Sequence, residues 1–300
     1  MHATWRSAVA SIVAAIASAG GQAQERQAPV FSSAVNAVSV YATVRDAEGR
    51  LAPYLTLDDF EVRVGGRPQE IVAFSADSQP ITACLLLDMS GSVMRRLLRL
   101  RDSSLQFIKA LTPVDRARIG TFGAEIFISP LLTNDQKVLE RVLREELWPG
   151  GMTPLWGALG AALDSLANEP GRRVVLIFTD GAAAGTLPGY PATYSSVASR
   201  VVDGGLMLYS IGIRNDTLTE SVDPDLMDLV LRSGGGRFEL RDDADLEETF
   251  TRVADELRRQ YLIGFRPDAN LKGRQRIDLR VKRGGYRVQA RREFTVEERR

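Results

Sequence analysis

Two continuous apolar runs, each ending in a carboxylate, constrain the fold of this chain most strongly. The first run, ITACLLLD, covers residues 81–88, and the second, VVLIFTD, covers residues 174–180. Strands buried on both faces of a parallel sheet have continuous apolar sequences, because helices cover both faces. Segments with helical periodicity separate the strand-like runs, which indicates a doubly wound α/β domain. We therefore predict an α/β domain with a mostly parallel sheet over residues 80–260.

The segments on either side of this domain have a different pattern. Residues 35–78 and 261–296 alternate apolar and polar side chains and contain Gly-Gly turns, as antiparallel strands do. We predict that these flanking β segments pack with each other, with the α/β domain inserted between them. Lys and Arg recur at alternating positions over residues 272–292. This indicates a solvated strand face or, alternatively, a surface for an anionic partner.

The N-terminal residues have the pattern of an export signal. A positive charge precedes a short apolar run at residues 8–16, and small residues follow. We expect a signal peptide over residues 1–23, with cleavage after Ala19 or Ala23, and then a linker over residues 24–34. The alternatives are an uncleaved anchor and an ordinary amphipathic helix. After cleavage, we expect a secreted or periplasmic protein without a transmembrane segment, since the later segments are less apolar.

The scarcity of histidine and cysteine excludes several classes of site. The chain of 300 residues contains one histidine, His2, and one cysteine, Cys84. A disulfide within the chain and a zinc site of Cys and His are therefore excluded. A serine nucleophile would have no histidine base, because His2 lies in the N-terminal segment that is expected to be removed. Equal numbers of basic and acidic residues, 38 of each, argue against a broad nucleic-acid surface.

Oxygen-bearing side chains follow both apolar runs. Asp88 ends the first run and precedes Ser90 and Ser92, Asp180 ends the second run, and Thr153 stands before a predicted helix. In an open parallel sheet, ligands bind at the carboxyl ends of the strands where the strand order reverses. If the loops converge there, two carboxylates and three hydroxyls suit a hard cation such as Mg²⁺, with Mn²⁺ and Ca²⁺ as alternatives.

Each of these elements also has an ordinary structural explanation. Asp88 and Ser90 are residue types that cap a helix, here one predicted to start near Val93, and Thr153 could cap the next helix. Asp180 could belong to a simple Asp-Gly turn. The occurrence of all three elements at one edge of one sheet favours the metal site.

The three elements resemble a known site. DMSGS at residues 88–92, the threonine of GGMTP and TDG at residues 179–181 are similar to the metal-ion-dependent adhesion site (MIDAS) of the von Willebrand factor A (VWA) domain. That family, which includes the integrin I domains, folds as a doubly wound sheet. The resemblance covers residues 80–260, and the flanking segments are similar to those of exported bacterial proteins with this domain. It implies that the metal contacts, some of them through water, are made by Asp88, Ser90, Ser92, Thr153 and Asp180.

The resemblance implies a metal-dependent protein-binding module for adhesion or interaction. The divalent ion would be completed by an acidic residue of a protein partner, with no nucleic acid involved and no catalytic residues. One alternative is a scaffold protein that binds through its flanking β segments. Another is a metal-assisted hydrolase. We expect a protein that is not an enzyme, since the chain has no Walker-type loop and has Ser90 where phosphoaspartyl enzymes need a second acid.

Overall fold

The computed structural model describes residues 37–213 and 222–296. The predicted signal peptide, its cleavage sites and the linker that follows lie outside the described residues. Within the described ranges, 13 strands and six α-helices form one antiparallel sheet and one mostly parallel sheet with helices on both faces. No helix in these ranges is both long enough and apolar enough to cross a membrane.

The elements follow one another in an order that separates the two sheets along the chain. The strands are β1 (Val38–Arg45), β2 (Phe60–Val64), β3 (Arg67–Ser75), β4 (Ile81–Asp88), β5 (Arg116–Phe122), β6 (Ile126–Ile128), β7 (Arg172–Thr179), β8 (Met207–Ile213), β9 (Arg237–Leu240), β10 (Tyr261–Arg266), β11 (Gly273–Val281), β12 (Arg287–Ala290) and β13 (Glu293–Val296). The helices are α1 (Leu97–Lys109), α2 (Gln136–Glu145), α3 (Leu155–Leu166), α4 (Tyr194–Gly204), α5 (Pro224–Ser233) and α6 (Leu246–Arg258).

The central sheet has the strand order β6-β5-β4-β7-β8-β9. The pairs from β5 to β9 are parallel, and only the edge strand β6 is antiparallel to its neighbour. Helices α1, α2 and α6 pack on one face, and α3, α4 and α5 pack on the other. The predicted doubly wound α/β fold is therefore confirmed. The strand order reverses at β4, so the ligand crevice of such a sheet lies beside the carboxyl end of this strand.

Strand β4 shows why the apolar run is continuous. All eight of its residues are buried. Leu85 and Leu87 contribute to the core beneath one layer of helices, whereas Cys84 and Leu86 contribute to the core on the opposite face. Successive side chains of a strand point to opposite faces, so packing against two apolar layers favours a nearly continuous apolar sequence. Burial raises the pKa of the Cys84 thiol to about 12, so this cysteine is a core residue without thiolate reactivity.

The flanking segments form a single antiparallel sheet in the order β12-β1-β10-β3-β2-β11-β13. Strand β1 pairs with β10 and β12, and β2 pairs with β11, so strands from the two flanking segments pair with each other within one sheet. Strands β12 and β13 are consecutive along the chain but lie at opposite ends of the strand order, so the sheet curls round. Arg291 and Arg292 form the bend between β12 and β13. At this bend, the carbonyl of Arg292 accepts a hydrogen bond from the N–H of Ile277 of β11 at 2.8 Å.

A buried polar network joins the two sheets. Glu256 of α6 accepts hydrogen bonds from Thr43 Oγ1 of β1 and from the hydroxyl of Tyr209 of β8, both at 3.0 Å. Its second oxygen pairs with Arg45. The Nε2 atom of Gln260 donates to Thr43 Oγ1 at 2.8 Å and to the Tyr209 hydroxyl at 3.1 Å. Because these groups are buried and hydrogen-bonded, they fix the antiparallel sheet against the α/β layer.

Candidate metal centre

Two carboxylates meet at the carboxyl edge of the central sheet. Asp88 is the last residue of β4, and Asp180 follows directly after β7. The two strands are parallel neighbours, with Leu87 opposite Phe178, so their ends coincide. Asp88 is 0% exposed and Asp180 is 3% exposed. The fold therefore buries two acidic side chains side by side, which is costly unless their charge is compensated.

Asp88 is held by hydrogen bonds but has no cationic partner among the residues that the structure describes. Its Oδ1 accepts from the backbone N–H of Ser90 at 2.8 Å, and its Oδ2 accepts from the hydroxyl of Thr179 at 2.7 Å. Burial raises the pKa of the Asp88 carboxyl to about 6, and the hydrogen bonds from Ser90 and Thr179 oppose that rise. At neutral pH the group is a buried anion, which fits a cation site.

The two serine hydroxyls connect this loop to Asp180. Ser90 Oγ lies 3.2 Å from Ser92 Oγ, and Ser92 Oγ donates to Asp180 Oδ1 at 2.6 Å. Ser92 is exposed, whereas Ser90 is buried. Three predicted ligands thus form a continuous chain of oxygen atoms, in which the exposed Ser92 links the buried Ser90 to the buried Asp180.

Thr153 lies on a third loop, which is fastened to the other two through its backbone. The N–H of Gly150 donates to the carbonyl of Met89 at 2.6 Å, and the N–H of Ala184 donates to the carbonyl of Thr153 at 2.9 Å. Thr153 is 8% exposed. The structure therefore brings the loops of all five predicted ligands together, with Thr153 joined to the group by main-chain bonds.

We predict that Gly151→Ala destabilises this loop assembly. Gly151 has a φ of +82°, and a Cβ atom there would lie 2.4 Å from the backbone nitrogen of Ala124. The backbone would have to move, so we expect a loss of about 2–3 kcal/mol in the free energy of unfolding, measured by urea denaturation. Gly284→Ala is the control, because a Cβ atom at Gly284 meets nothing within 4 Å. Equal stability of the two variants would contradict the prediction.

Two side chains at the site were not predicted from the sequence. Thr179 donates to Asp88, and the signal for it is a hydroxyl at the end of an otherwise apolar run. Arg96 Nη1 lies 3.0 Å from Asp180 Oδ2 and forms an ion pair with it. No local pattern marks Arg96, because its partner is 84 residues away.

The segment that carries Arg96 also differs from the sequence prediction. A 3-10 turn at Gly91–Arg96 comes first, and α1 begins at Leu97 and not near Val93. Leu98 of α1 is 66% exposed, because the buried face of this helix runs through Leu100, Ser104 and Phe107. The tight turn keeps Ser92 and Arg96 beside Asp180.

The donor set of the site is made of oxygen atoms. Among the described residues, no three His, Cys, Asp or Glu side chains cluster closely enough to hold a metal by themselves. A site here therefore needs its hydroxyl groups as ligands. Two carboxylates with neutral hydroxyls and a solvent-facing side suit Mg²⁺, which prefers oxygen ligands and retains water.

Comparison with known families agrees with this architecture. The sequence profile described as von Willebrand factor type A domain matches residues 84–252, more than half of the chain. The chain belongs to the von Willebrand factor type A domain family. The VWA match begins within β4 and ends within α6, so it coincides with the central sheet and its helices.

Solved structures share this VWA fold at low sequence identity. Proximal thread matrix protein 1 from the mussel byssus has a TM-score of 0.50 and 14% identity, covering 61% of this chain and 49% of its own. A von Willebrand factor type A protein from Catenulispora acidiphila has a TM-score of 0.50 and 13% identity, covering 88% of this chain and 74% of its own. The chain thus spans about half the length of the mussel protein. No curated protein matches the sequence significantly.

Proposed function

We propose that this VWA protein is an exported bacterial module that binds a protein partner through a divalent ion. The observation that carries the proposal is the chain of oxygen atoms from Ser90 through Ser92 to Asp180, beside the uncompensated carboxylate of Asp88. Mg²⁺ is the proposed ion, with Mn²⁺ and Ca²⁺ as alternatives. The residues proposed to hold it are Asp88, Ser90, Ser92, Thr153 and Asp180.

The protein groups have distinct roles in such a site. Asp88 and Asp180 supply the negative charge, and the hydrogen bonds from Ser90 N–H and the Thr179 hydroxyl orient the Asp88 carboxylate. The hydroxyls are neutral ligands, so they fill positions without cancelling the positive charge of the ion. When bound, the ion supplies a positive centre that an acidic side chain of the partner completes.

We propose a binding module and not an enzyme. The hydroxyl of Ser92 donates to the carboxylate of Asp180, and the chain has no histidine outside the predicted signal peptide to act as a base. A metal-assisted hydrolase remains the alternative within the same site. Hydrolysis of phosphate esters or peptides that depends on Mg²⁺ and on Asp88 would replace the binding proposal.

The partner-binding proposal is tested on the exported fraction of the source cells. Immobilised wild-type protein is expected to retain a partner in Mg²⁺ and to release it in EDTA. The control is Asp88→Asn, which removes one proposed ligand charge and is expected to retain nothing in either buffer. Partner binding that persists in EDTA would contradict the metal-dependent function.

We predict that the affinity for Mg²⁺ falls on acidification. Burial raises the pKa of Asp88 to about 6, so protons compete with the ion below that pH. The dissociation constant should rise by about fivefold between pH 6 and pH 5, because Asp88 is half protonated at pH 6 and almost fully protonated at pH 5. Isothermal titration calorimetry with MgCl₂ at pH 7.5, 6 and 5 measures this change. A dissociation constant that is the same at all three values would contradict the prediction.

A second candidate function places binding on the antiparallel sheet. A cleft of about 670 Å³ lies between β11 and β12, and Arg276 and Arg292 on its lining form no ion pair within the described ranges. These guanidinium groups suit an acidic partner of a scaffold protein. Deletion of the flanking segments does not test this function, since their strands pair with one another. The double substitution Arg276→Glu and Arg292→Glu tests the scaffold function. Only that function predicts that the double variant loses partner binding while it still binds the metal.

A further inference from the structure

Arg96 neutralises one carboxylate of the candidate metal site from within the chain. Asp180 uses both oxygens: Oδ1 accepts from Ser92 Oγ at 2.6 Å, and Oδ2 pairs with Arg96 Nη1 at 3.0 Å. The side chain of Asp180 is 1% exposed and that of Arg96 is 22% exposed. The guanidinium therefore reaches from the rim of the site onto a buried anion, where an ion pair is screened less than on the surface.

The two carboxylates of the site have different partners within the chain. Asp180 has Arg96 and a hydroxyl as partners, whereas Asp88 has hydrogen-bond donors and no cation among the residues described. With both acids ionised and Arg96 in place, the net charge of these three groups is −1. A divalent ion added to this arrangement would face the positive charge of Arg96 as well as the two carboxylates. Entry of the ion and retention of the Arg96 pair therefore oppose each other.

We propose that Arg96 is the internal counter-ion of the metal-free site and that it competes with the divalent ion for Asp180. This inference rests on the proposed metal site and adds how that site is regulated. Arg96 is the last residue of the 3-10 turn Gly91–Arg96 and stands at the start of α1. Its side chain has an exposed edge, so release into solvent needs no unfolding of the helix. Metal affinity is then set by how firmly Arg96 holds Asp180.

Arg95 provides a matched control for this pair. It is adjacent to Arg96 on the same turn, carries the same charge and is exposed. It forms no ion pair within the described part of the chain. Replacing either arginine removes one positive charge near the site, but only replacement of Arg96 frees an oxygen of Asp180. A difference in Mg²⁺ affinity between the two variants therefore measures the effect of the Arg96–Asp180 ion pair, and not the effect of removing a positive charge near the site.

The test is isothermal titration calorimetry of the full chain with MgCl₂ at pH 7.5, in wild type, Arg96→Gln and Arg95→Gln. Arg96→Gln is expected to bind Mg²⁺ about tenfold more tightly than wild type, whereas Arg95→Gln should change the affinity by less than about twofold. In EDTA, the thermal midpoint of Arg96→Gln should fall by about 3 °C, because Asp180 loses its partner. Circular dichroism checks the fold, and Arg96→Lys, which keeps the charge, should bind with intermediate affinity.

The Mg²⁺ affinities of the three proteins distinguish failure of the Arg96 inference from failure of the proposed metal site. Tighter binding by Arg96→Gln alone supports the inference, and so does binding by Arg96→Gln when wild type shows none. Unchanged or weaker binding by Arg96→Gln, or an equal gain in Arg95→Gln, overturns it while leaving the proposed metal site standing. Absence of Mg²⁺ and Mn²⁺ binding in wild type and in every variant overturns the proposed function together with the inference.

Discussion

Asp88→Asn is expected to stabilise the metal-free protein and to abolish its response to Mg²⁺. Burial raises the pKa of Asp88 from the ordinary value of 3.8 to about 6. A shift of about two units corresponds to about 3 kcal/mol of destabilisation once the group is ionised. Asparagine keeps an acceptor for the Ser90 N–H without the charge, so the variant should gain about 1–2 kcal/mol in EDTA at pH 7.5.

The sign of the pH dependence follows from the raised pKa of Asp88. Between about pH 4 and pH 6, the folded metal-free protein holds a proton that the unfolded chain releases. Stability therefore falls as the pH rises through this range and stays low above pH 6. In Asp88→Asn this component of the slope is expected to be absent. Thermal unfolding in EDTA from pH 4 to pH 8 measures both curves.

In Mg²⁺, the order of stability between wild type and Asp88→Asn should shift in favour of wild type. Wild type is expected to gain about 2.7 kcal/mol at a Mg²⁺ concentration one hundred times the dissociation constant. Asp88→Asn should gain nothing at that concentration, because one of the two ligand charges is missing. Asp102→Asn is the control, since this aspartate on α1 has a side chain that is 64% exposed. If Asp88→Asn is less stable than wild type in EDTA at pH 7.5, then burial of the ionised Asp88 carboxylate does not destabilise the metal-free protein, and the prediction is wrong.

Glu256→Ala is expected to lower the free energy of unfolding by about 3 kcal/mol. The substitution leaves the buried hydroxyls of Thr43 and Tyr209 without their acceptor. It also removes the partner of Arg45, whose side chain is 34% exposed and contributes less because solvent screens it. Urea denaturation measures the loss.

Glu248→Ala is the matched control for Glu256→Ala. Glu248 lies on the same helix, α6, and is exposed, so its removal should change the free energy of unfolding by less than about 0.5 kcal/mol. The difference between the two variants isolates the contact with β1 and β8. Equal losses in the two variants would show that the buried network does not hold the sheets together.

The fold could be predicted because its strongest determinant is local. A strand such as β4 is buried on both faces, so its nearly continuous apolar run over residues 81–87 is visible in the sequence. The carboxylates at the ends of β4 and β7 follow from the same observation, because neighbouring parallel strands end at one edge. The sequence therefore placed Asp88 and Asp180 at strand ends, and the pairing of β4 with β7 brings them to the same edge.

The contacts that complete the site could not be predicted, since they depend on packing between distant segments. Arg96 and Asp180 are 84 residues apart, and Thr43 and Glu256 are 213 residues apart. Ordinary alternation along residues 286–296 predicts one strand, but the structure divides it into β12 and β13 at Arg291 and Arg292. The alternation continues through the bend, so the sequence does not show where the strand changes partners.

The way in which the α/β domain joins the antiparallel sheet determines how the protein bears tension. Ser75, at the end of β3, lies opposite Leu262 of β10, so the domain leaves and re-enters the sheet through adjacent strands. A pulling force on the flanking strands is carried by the hydrogen bonds between β3 and β10 before it reaches the helices or the loops of Asp88 and Asp180. The loops of Asp88 and Asp180 should therefore keep their arrangement under a load that already peels strands from the sheet. Tension applied only through the flanking strands would therefore not by itself release a partner bound at the proposed site.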